Sequence, residues 1–312
     1  MEFIPKRRIV DLYPETIEVV LKRVNLAKPG EMDNAISLLR DWVKMQPHFK
    51  RRDFSDAYLQ STIIASKGSL EKAKGRMDRL CTLRTLLPQN FSCFDVEKSF
   101  ASVLEVVKPI ILPKLTKEHY RIMVAKPNKT LDAGEINDAF KYTYVMGDYL
   151  KQTDCIAGFI AIFDLSDVNM LELMTKINPM DLRQALTVYF EGLGLQLKGL
   201  FFITTSKIID TLIGILKQIL KPKLVDRIKI FKSWDDAFEF VEKEIIPVDF
   251  GGNEKSASKI HDDWLSELTS DDFKKYLREI NTAKTDETCR PSDKFNEEYA
   301  GMPGTFRLLS VD

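Results

Sequence analysis

The segment from Lys207 to Leu220 constrains the fold more than any other part of the chain. The few polar positions in it and just after it recur at spacings of 4, 3 and 4, as in an α-helix: Asp210, Gly214, Lys217 and Lys221. A surface helix normally buries one apolar stripe about 100° wide, whereas this helix is apolar over much more of its circumference. It therefore needs a second apolar partner besides the protein core: a bound lipid, a membrane or another subunit.

The centre of the chain, from about residue 105 to residue 252, alternates predicted strands with predicted helices. Short apolar runs predict strands at Tyr120–Ala125, Ile156–Leu165, Leu197–Thr204 and Arg227–Phe231. Helices are predicted near 135–151, 179–193, 207–220 and 234–243. Continuous apolar strands that alternate with helices are typical of a mainly parallel sheet covered by helices.

The flanking regions predict helices without strands. Residues 14 to 90 contain four short amphipathic helices, the last capped by Ser69, and we expect them to form a small bundle. After Gly252 the pattern indicates a weaker helix from Asp262 to Leu277, followed by a polar, extended tail to Asp312.

The composition excludes several classes of protein. Lysine plus arginine and aspartate plus glutamate number 46 each, so no overall charge attracts nucleic acid. The four cysteines form no CxxC pair, which favours reduced thiols over disulfides or metal ligands. The start of the chain lacks the apolar core of a signal peptide, and no stretch approaches ~18 uncharged apolar residues. We therefore expect a soluble cytoplasmic protein that needs no metal or cofactor.

The sequence contains little of the chemistry expected of an enzyme. Three histidines lie in different segments without ligand spacing, and there is no GxSxG, P-loop, GxGxxG or HExxH motif. Asp164, at the end of an apolar strand, is the best-placed carboxylate, since ligands gather at the carboxyl ends of parallel strands. We favour a turn-forming role for Asp164, in which it caps the next segment. The residues Thr204 to Ser206 follow a strand without an evident base, so we expect a protein that is not an enzyme.

Five short motifs follow one another in an order that resembles a known family. They are residues 70–74 (LEKAK), 161–165 (AIFDL), 198–203 (KGLFFI), 221–228 (KPKLVDRI) and 246–252 (IPVDFGG). Together they resemble the CRAL-TRIO lipid-binding family, which includes retinaldehyde-binding and α-tocopherol-transfer proteins. The resemblance covers about residues 14 to 312, and the ending at 304–309 (GTFRLL) is similar to that of many insect members.

The resemblance implies an α/β protein in which a helical N-terminal bundle precedes a mainly parallel sheet flanked by helices. The implied divisions are a helical domain over 14–95, a lipid-binding domain over 96–252, and a C-terminal helix and extended tail over 253–312. The segment 207–220 falls where the family has a mobile gate helix over one hydrophobic ligand. A lipid beneath this helix would supply the second apolar partner.

The resemblance also implies, by position, which residues line the lipid pocket. They come from the helix before the second strand, from that strand, from the segments that follow it and from the gate: Phe140, Thr143, Tyr144, Gly147, Phe159, Phe163, Ile177, Val188, Leu195, Leu200, Ile208, Leu212, Leu216 and Ile219. Thr143, Tyr144 and Tyr189 are expected as polar groups in an otherwise apolar pocket.

Tocopherol-transfer members hold a phosphoinositide headgroup with basic residues beside the gate. The matching positions here are Lys198, Lys217, Lys223 and Arg227, while Gln196 replaces an expected base. The gate lacks its usual proline, because Gln218 and Ile219 follow Lys217. Members that carry phosphatidylinositol tend to have a glutamate near Leu195, so an apolar residue there favours a small neutral lipid.

These observations predict a monomeric, non-enzymatic carrier that binds a tocopherol, retinoid, carotenoid or related isoprenoid and transfers it during transient contact with membranes. Two alternatives stay open. The first is a lipid-sensing module that regulates a partner protein through the N-terminal bundle or the C-terminal tail. The second is a lipid-modifying enzyme that uses Asp164 or a hydroxyl between residues 204 and 206.

Overall fold

A computed structural model describes residues 9–291, so the tail motif at 304–309 lies outside the described residues. The helices in these residues are α1 (Thr16–Arg23), α2 (Glu31–Lys44), α3 (Asp56–Ala65), α4 (Leu70–Leu86), α5 (Val96–Val106), α6 (Ala133–Thr153), α7 (Met170–Lys176), α8 (Pro179–Thr187), α9 (Ile209–Ile219), α10 (Pro222–Val225), α11 (Trp234–Ala237), α12 (Ala257–Leu268) and α13 (Asp271–Ile280). The strands are β1 (Ile110–Ile111), β2 (Tyr120–Ala125), β3 (Gly158–Asp164), β4 (Leu197–Ile203) and β5 (Ile228–Phe231).

The five strands form one mixed sheet in the order β1-β2-β3-β4-β5. Strands β2 to β5 are parallel, and β1 pairs antiparallel with β2 at the edge. The prediction of an α/β protein with a mainly parallel sheet is therefore confirmed. The sequence did not predict β1, because two isoleucines are too short a run to distinguish a strand from the end of a helix.

A bulge sets which side chains of β4 share a face with those of β3. Phe159 pairs with Leu197 and Ile160 pairs with Gly199, so Lys198 is the extra residue. A side chain at Gly199 would lie 2.6 Å from the ring of Phe201, which explains the glycine at this narrow point.

The N-terminal helices begin where short polar side chains cap them. Ser55 accepts a hydrogen bond from the backbone N–H of Tyr58 at the start of α3. Ser69 accepts one from Lys72 at the start of α4, as the sequence predicted. Helix α3 is buried around most of its circumference and packs against α2, α4 and α6.

Two helix predictions were wrong in their extent. The helix predicted from Asp262 to Leu277 is two helices, α12 and α13, because Ser270 caps the second by accepting from the N–H of Phe273. The helix predicted near 234–243 is the single turn α11, which ends at Ala237. In the segments between the predicted elements, α5 and α7 were not foreseen.

Buried ion pairs join α6 to the rest of the molecule. Arg84 of α4 contacts Asp148 of α6 at 2.6 Å, and both side chains are almost completely buried. Arg121 of β2 contacts both carboxylate oxygens of Asp154, just beyond α6, at 2.9 Å. The first pair ties the helical N-terminal region to the sheet-bearing region.

Both ends of the described chain are tied to the interior. The N–H of Asp11 donates to the carbonyl of Pro113 at 2.7 Å. Arg290 donates to the two carboxylate oxygens of Asp78, on α4, at 2.9 and 2.8 Å. The division into domains at residues 95 and 252 stays a prediction, since contacts of this kind cross both boundaries.

The Asp148→Asn substitution should destabilise the protein, because it leaves the Arg84 guanidinium buried without a counter-charge. We expect the free energy of unfolding in urea to fall by about 3–5 kcal/mol. Glu18→Gln is the matched control, because the Glu18–Lys22 pair is exposed and should contribute nothing measurable. Equal stability of the Asp148→Asn variant and the wild type would show that this pair does not hold the two regions together.

Candidate functional site: an apolar cavity beneath α9

A cavity of about 240 Å³ lies between one face of the sheet and the helices α6 to α9. Its lining is almost entirely apolar, and it is partly open to the surface. The sheet contributes the alternate side chains of β2, β3 and β4 that point to this face: Met123, Ala125, Phe159, Ala161, Phe163, Leu197, Leu200 and Phe202.

Small side chains in the middle of the sheet leave the space empty. Ala161 pairs with Met123 on one side and with Leu200 on the other, so the three form a row across the sheet. Within β3, Ala161 lies between Phe159 and Phe163, whose rings rise on either side of it. Phe163 is half-exposed although it lies in the central strand, because its free surface faces the cavity.

Helix α9 covers the cavity with two side chains one turn apart. Leu212 and Leu216 are buried and line the cavity, while Asp210 and Lys217 are exposed on the opposite side. Ile213 is half-buried and packs against the core without lining the cavity. The apolar surplus of this helix is therefore shared between the cavity and its other neighbours, which include α7.

Two pairs of polar side chains in the cavity wall are bonded to each other. The Thr143 hydroxyl lies 2.5 Å from the Tyr189 hydroxyl and donates to the carbonyl of Phe140 at 2.8 Å. Burial raises the pKa of Tyr189, so its hydroxyl stays neutral. At one end of the cavity, Asn137 donates to Asp181 at 3.2 Å. The wall thus offers a ligand a large apolar surface and few polar groups.

Ten of the residues expected from the resemblance line this cavity: Phe140, Thr143, Gly147, Phe159, Phe163, Ile177, Leu195, Leu200, Leu212 and Leu216. The structure brings them together from four elements, α6, β3, β4 and α9, and the loops between them. Sequence reasoning missed Met123, Ala125 and Ala161, because alanine and methionine in an apolar strand give no signal that distinguishes a cavity wall from a filled core.

The other four expected residues, Tyr144, Val188, Ile208 and Ile219, do not line the cavity. Tyr144 follows Thr143 by about 100° around α6, and its ring faces Phe91 at 5.8 Å instead.

Val188 is completely buried at the start of a π-helical turn. The next residue of this wider turn, Tyr189, lines the cavity instead of Val188. Ile208 and Ile219 lie just before α9 and at its last residue, beyond the two turns that cover the cavity.

Three of the four expected basic residues form a cluster at the amino-terminal ends of β4 and β5. Burial lowers the pKa of Lys198, and repulsion from Arg227, Lys67, Arg23 and Lys223 adds to this effect. We call these five side chains the basic cluster. None of them forms an ion pair with a carboxylate within residues 9–291.

The sequence missed Arg23 and Lys67, which reach the cluster from the ends of α1 and α3. The fourth expected residue, Lys217, is exposed on α9 and is not among the charges that act on Lys198. At the position of the replaced base, Gln196 donates to the carbonyl of Ile64 at 2.9 Å.

Asp164 has structural partners on both carboxylate oxygens. One accepts from the hydroxyl of Ser166 at 2.6 Å, and the other accepts from the indole N–H of Trp234 at 2.8 Å. Ser206 accepts from the N–H of Ile208, which places its hydroxyl in the turn before α9. Each side chain holds a turn at the end of a strand.

Residues 9–291 contain neither a candidate metal site nor a candidate membrane-spanning helix. No group of three or more histidine, cysteine, aspartate or glutamate side chains there could hold a metal ion. No helix in this range has both the length and the apolar character needed to cross a membrane.

The chain is similar to a solved structure and to a family model. A solved structure described as "Crystal structure of Sfh5" is similar at 10% sequence identity and a TM-score of 0.44, over 80% of this chain and 92% of that chain. No curated protein matches the chain significantly. The family model for the CRAL/TRIO domain matches residues 105–252, a range that contains every residue lining the cavity. The similarity to the CRAL/TRIO domain thus covers slightly less than half of the chain.

Proposed function

We propose that this protein is a non-enzymatic carrier that holds one small hydrophobic lipid beneath α9 and exchanges it at membranes. CRAL/TRIO domains are lipid-binding and lipid-transfer domains, which supports the general class. The observation that carries the proposal is an apolar cavity of about 240 Å³ in whose wall Thr143 and Tyr189 are hydrogen-bonded to each other. Such a wall favours binding by apolar contact.

The volume favours a lipid with one chain. An apolar cavity of roughly 150 Å³ stays dry and binds benzene, and the present cavity is larger. At about 10–15 Å³ for each water-sized group, it has room for on the order of twenty non-hydrogen atoms in this conformation. That fits a retinoid or another single-chain lipid and is less than a carotenoid or a two-chain phospholipid needs. Burying a dozen CH₂ groups at ~0.8 kcal/mol each supplies on the order of ten kcal/mol before ordering costs.

The position of α9 suggests how the ligand leaves. The helix follows the carboxyl end of β4 and returns toward the amino-terminal end of β5, so it lies across the cavity, held by its two connections, its buried inner face and its contacts with α7. If α9 swings outward at a bilayer, Leu212 and Leu216 exchange the cavity for lipid tails, which removes most of the penalty of exposing them.

The basic cluster is the proposed membrane-recognition site. Five cations lie together without an ion-paired carboxylate in the described residues, and they lie at the edge of the sheet toward which the C-terminal end of α9 points. Phosphate groups are suited to such a cluster, because lysine and arginine donate charge-assisted hydrogen bonds to them. We therefore propose that the cluster binds phosphoinositide headgroups during transfer.

Filling the cavity should abolish ligand binding. The Ala161→Phe substitution places a ring between Phe159 and Phe163, and we expect the affinity for the uncharged apolar dye Nile red to fall at least tenfold. Ala101→Phe is the matched control, because Ala101 is exposed on α5. Native mass spectrometry should show a copurified lipid on the wild type and none on Ala161→Phe. A wild type that carries no lipid and binds no dye would refute the carrier function.

A charge on the inner face of α9 should have the same effect without filling the cavity. Leu212→Asp would bury a carboxylate in an apolar site, so Nile red affinity should fall by at least tenfold. Thr211→Asp adds the same charge to the exposed face of the same helix and should leave affinity unchanged. Equal affinities in the two variants would place the ligand away from α9.

Neutralising the basic cluster should slow transfer without weakening ligand binding. Lys67→Asn combined with Lys223→Gln removes two exposed charges, and asparagine tolerates the positive φ of 58° at residue 67. We expect transfer to vesicles containing phosphoinositides to slow severalfold, with transfer to neutral vesicles unchanged. Lys217→Gln, outside the cluster, is the control. An equal loss in the control would assign recognition to α9 instead.

A further inference from the structure

A second, smaller space adjoins the main cavity near the amino-terminal ends of β3 and β4. It has a volume of about 60 Å³, and we call it the side chamber. Its polar lining includes Ser61, Lys151 and Gln196. Four residues line both spaces, so the chamber lies directly beside the cavity and is separated from it by single side chains: Gly147, Leu150, Leu193 and Leu195.

Lys151 is the unusual residue of the side chamber. Lys151 is only 5% exposed. A lysine this deeply buried is rare without a paired carboxylate. Its ammonium donates to the Thr62 hydroxyl at 2.9 Å and lies 4.4 Å from the centre of the Tyr58 ring. An ammonium has three donors. Among residues 9–291 the structure records no ion pair for this group.

The charges around Lys151 are mostly positive. Arg76 and Arg84 of α4 repel the ammonium, and Asp148 on its own helix attracts it but is already bound to Arg84. Asp154 also lines the side chamber, but both of its carboxylate oxygens accept from Arg121.

Cys81 of α4 and Tyr58 of α3 complete the titratable surroundings. Burial, reinforced by the repulsion from Arg76, lowers the pKa of Lys151 to about 7. Both nearby carboxylates, Asp148 and Asp154, are bound to arginines, so the Lys151 ammonium has no carboxylate of its own among the described residues.

Resting on the proposed carrier function, we infer that the side chamber receives the carboxylate of a single-chain lipid acid, held by the Lys151 ammonium, with the hydrocarbon chain in the main cavity. Leu150, Leu193 and Leu195 form the wall between the two spaces, so one molecule occupies both when these side chains rotate aside. The apolar residue Leu195 predicts a neutral lipid. The buried ammonium of Lys151 on α6 favours a lipid acid instead.

The size of the side chamber limits the headgroup. At about 10–15 Å³ for each water-sized group, a chamber of about 60 Å³ holds a carboxylate with one or two water molecules. A sugar phosphate does not fit in this volume. The chamber therefore distinguishes a lipid acid from a phosphoinositide, which belongs to the exposed basic cluster.

The affinity for a lipid acid bound at Lys151 should depend on pH. The unliganded ammonium titrates near pH 7, whereas a bound carboxylate favours its charged form and raises its pKa. Below pH 7 the lysine is already charged and binding takes up no proton. Above pH 7 each ligand must bring a proton to Lys151, so affinity falls as pH rises, by up to about tenfold per pH unit.

The test compares dodecanoate with 1-dodecanol, which share a chain and differ in the headgroup, as competitors of Nile red. We expect the wild type at pH 6.5 to bind dodecanoate at least tenfold more tightly than dodecanol, and to lose this preference by pH 9. Lys151→Met should bind both alike at each pH while keeping its affinity for dodecanol, which also shows that it folds. Lys223→Met, in the basic cluster, should keep the wild-type preference.

The results that would contradict the lipid-acid inference differ from those that would contradict the carrier function. If Lys151→Met keeps the preference, or Lys223→Met loses it, the carboxylate binds elsewhere and the inference is wrong. If the wild type binds dodecanol and Nile red without preferring dodecanoate, the carrier function stands and only the inference fails. If none of the three binds, both fail.

Discussion

The parallel pairing of β2, β3 and β4 is the constraint on which the rest of this structure depends. Side chains alternate between the two faces of a strand, so a shift of one residue would exchange every side chain that faces the cavity for one that does not. With the observed register, Ala161 lies in a row with Met123 and Leu200. The sheet therefore has a hollow at its centre, bordered by phenylalanine rings. Helices packed over such a face can rest on its borders and cannot fill the middle.

Helix α6 separates two environments of opposite character. One side presents Phe140, Thr143 and Gly147 to the apolar cavity. The next residues around the helix, Asp148 and Lys151, lie among the buried charges that connect it to α4. The side chamber lies where these two environments meet, which is why its lining combines polar groups with hydrocarbon side chains.

The sequence predicted those features that rest on local patterns. Apolar runs identified four strands to within about two residues at each end, and the narrow polar stripe identified α9. Of the four side chains that the resemblance placed beneath this helix, Leu212 and Leu216 line the cavity. The cavity itself could not be predicted, because Ala161 in an apolar strand looks the same whether its neighbours leave a hollow or fill it. The basic cluster was only partly predicted, because Arg23 and Lys67 reach it through tertiary contacts.

The two ends of the described chain restrict how the molecule can move. Asp11 is fastened beside the sheet and Arg290 is fastened to α4, so the N-terminal helices are held from both directions. These helices are therefore fixed at both ends and do not rotate as a hinged unit. Any large displacement is then left to segments outside these two attachments. The stretch from Thr205 to Lys221 is such a segment, held by the buried side chains Ile209, Leu212 and Leu216, so mechanical compliance is concentrated in the one helix that lies over the hollow.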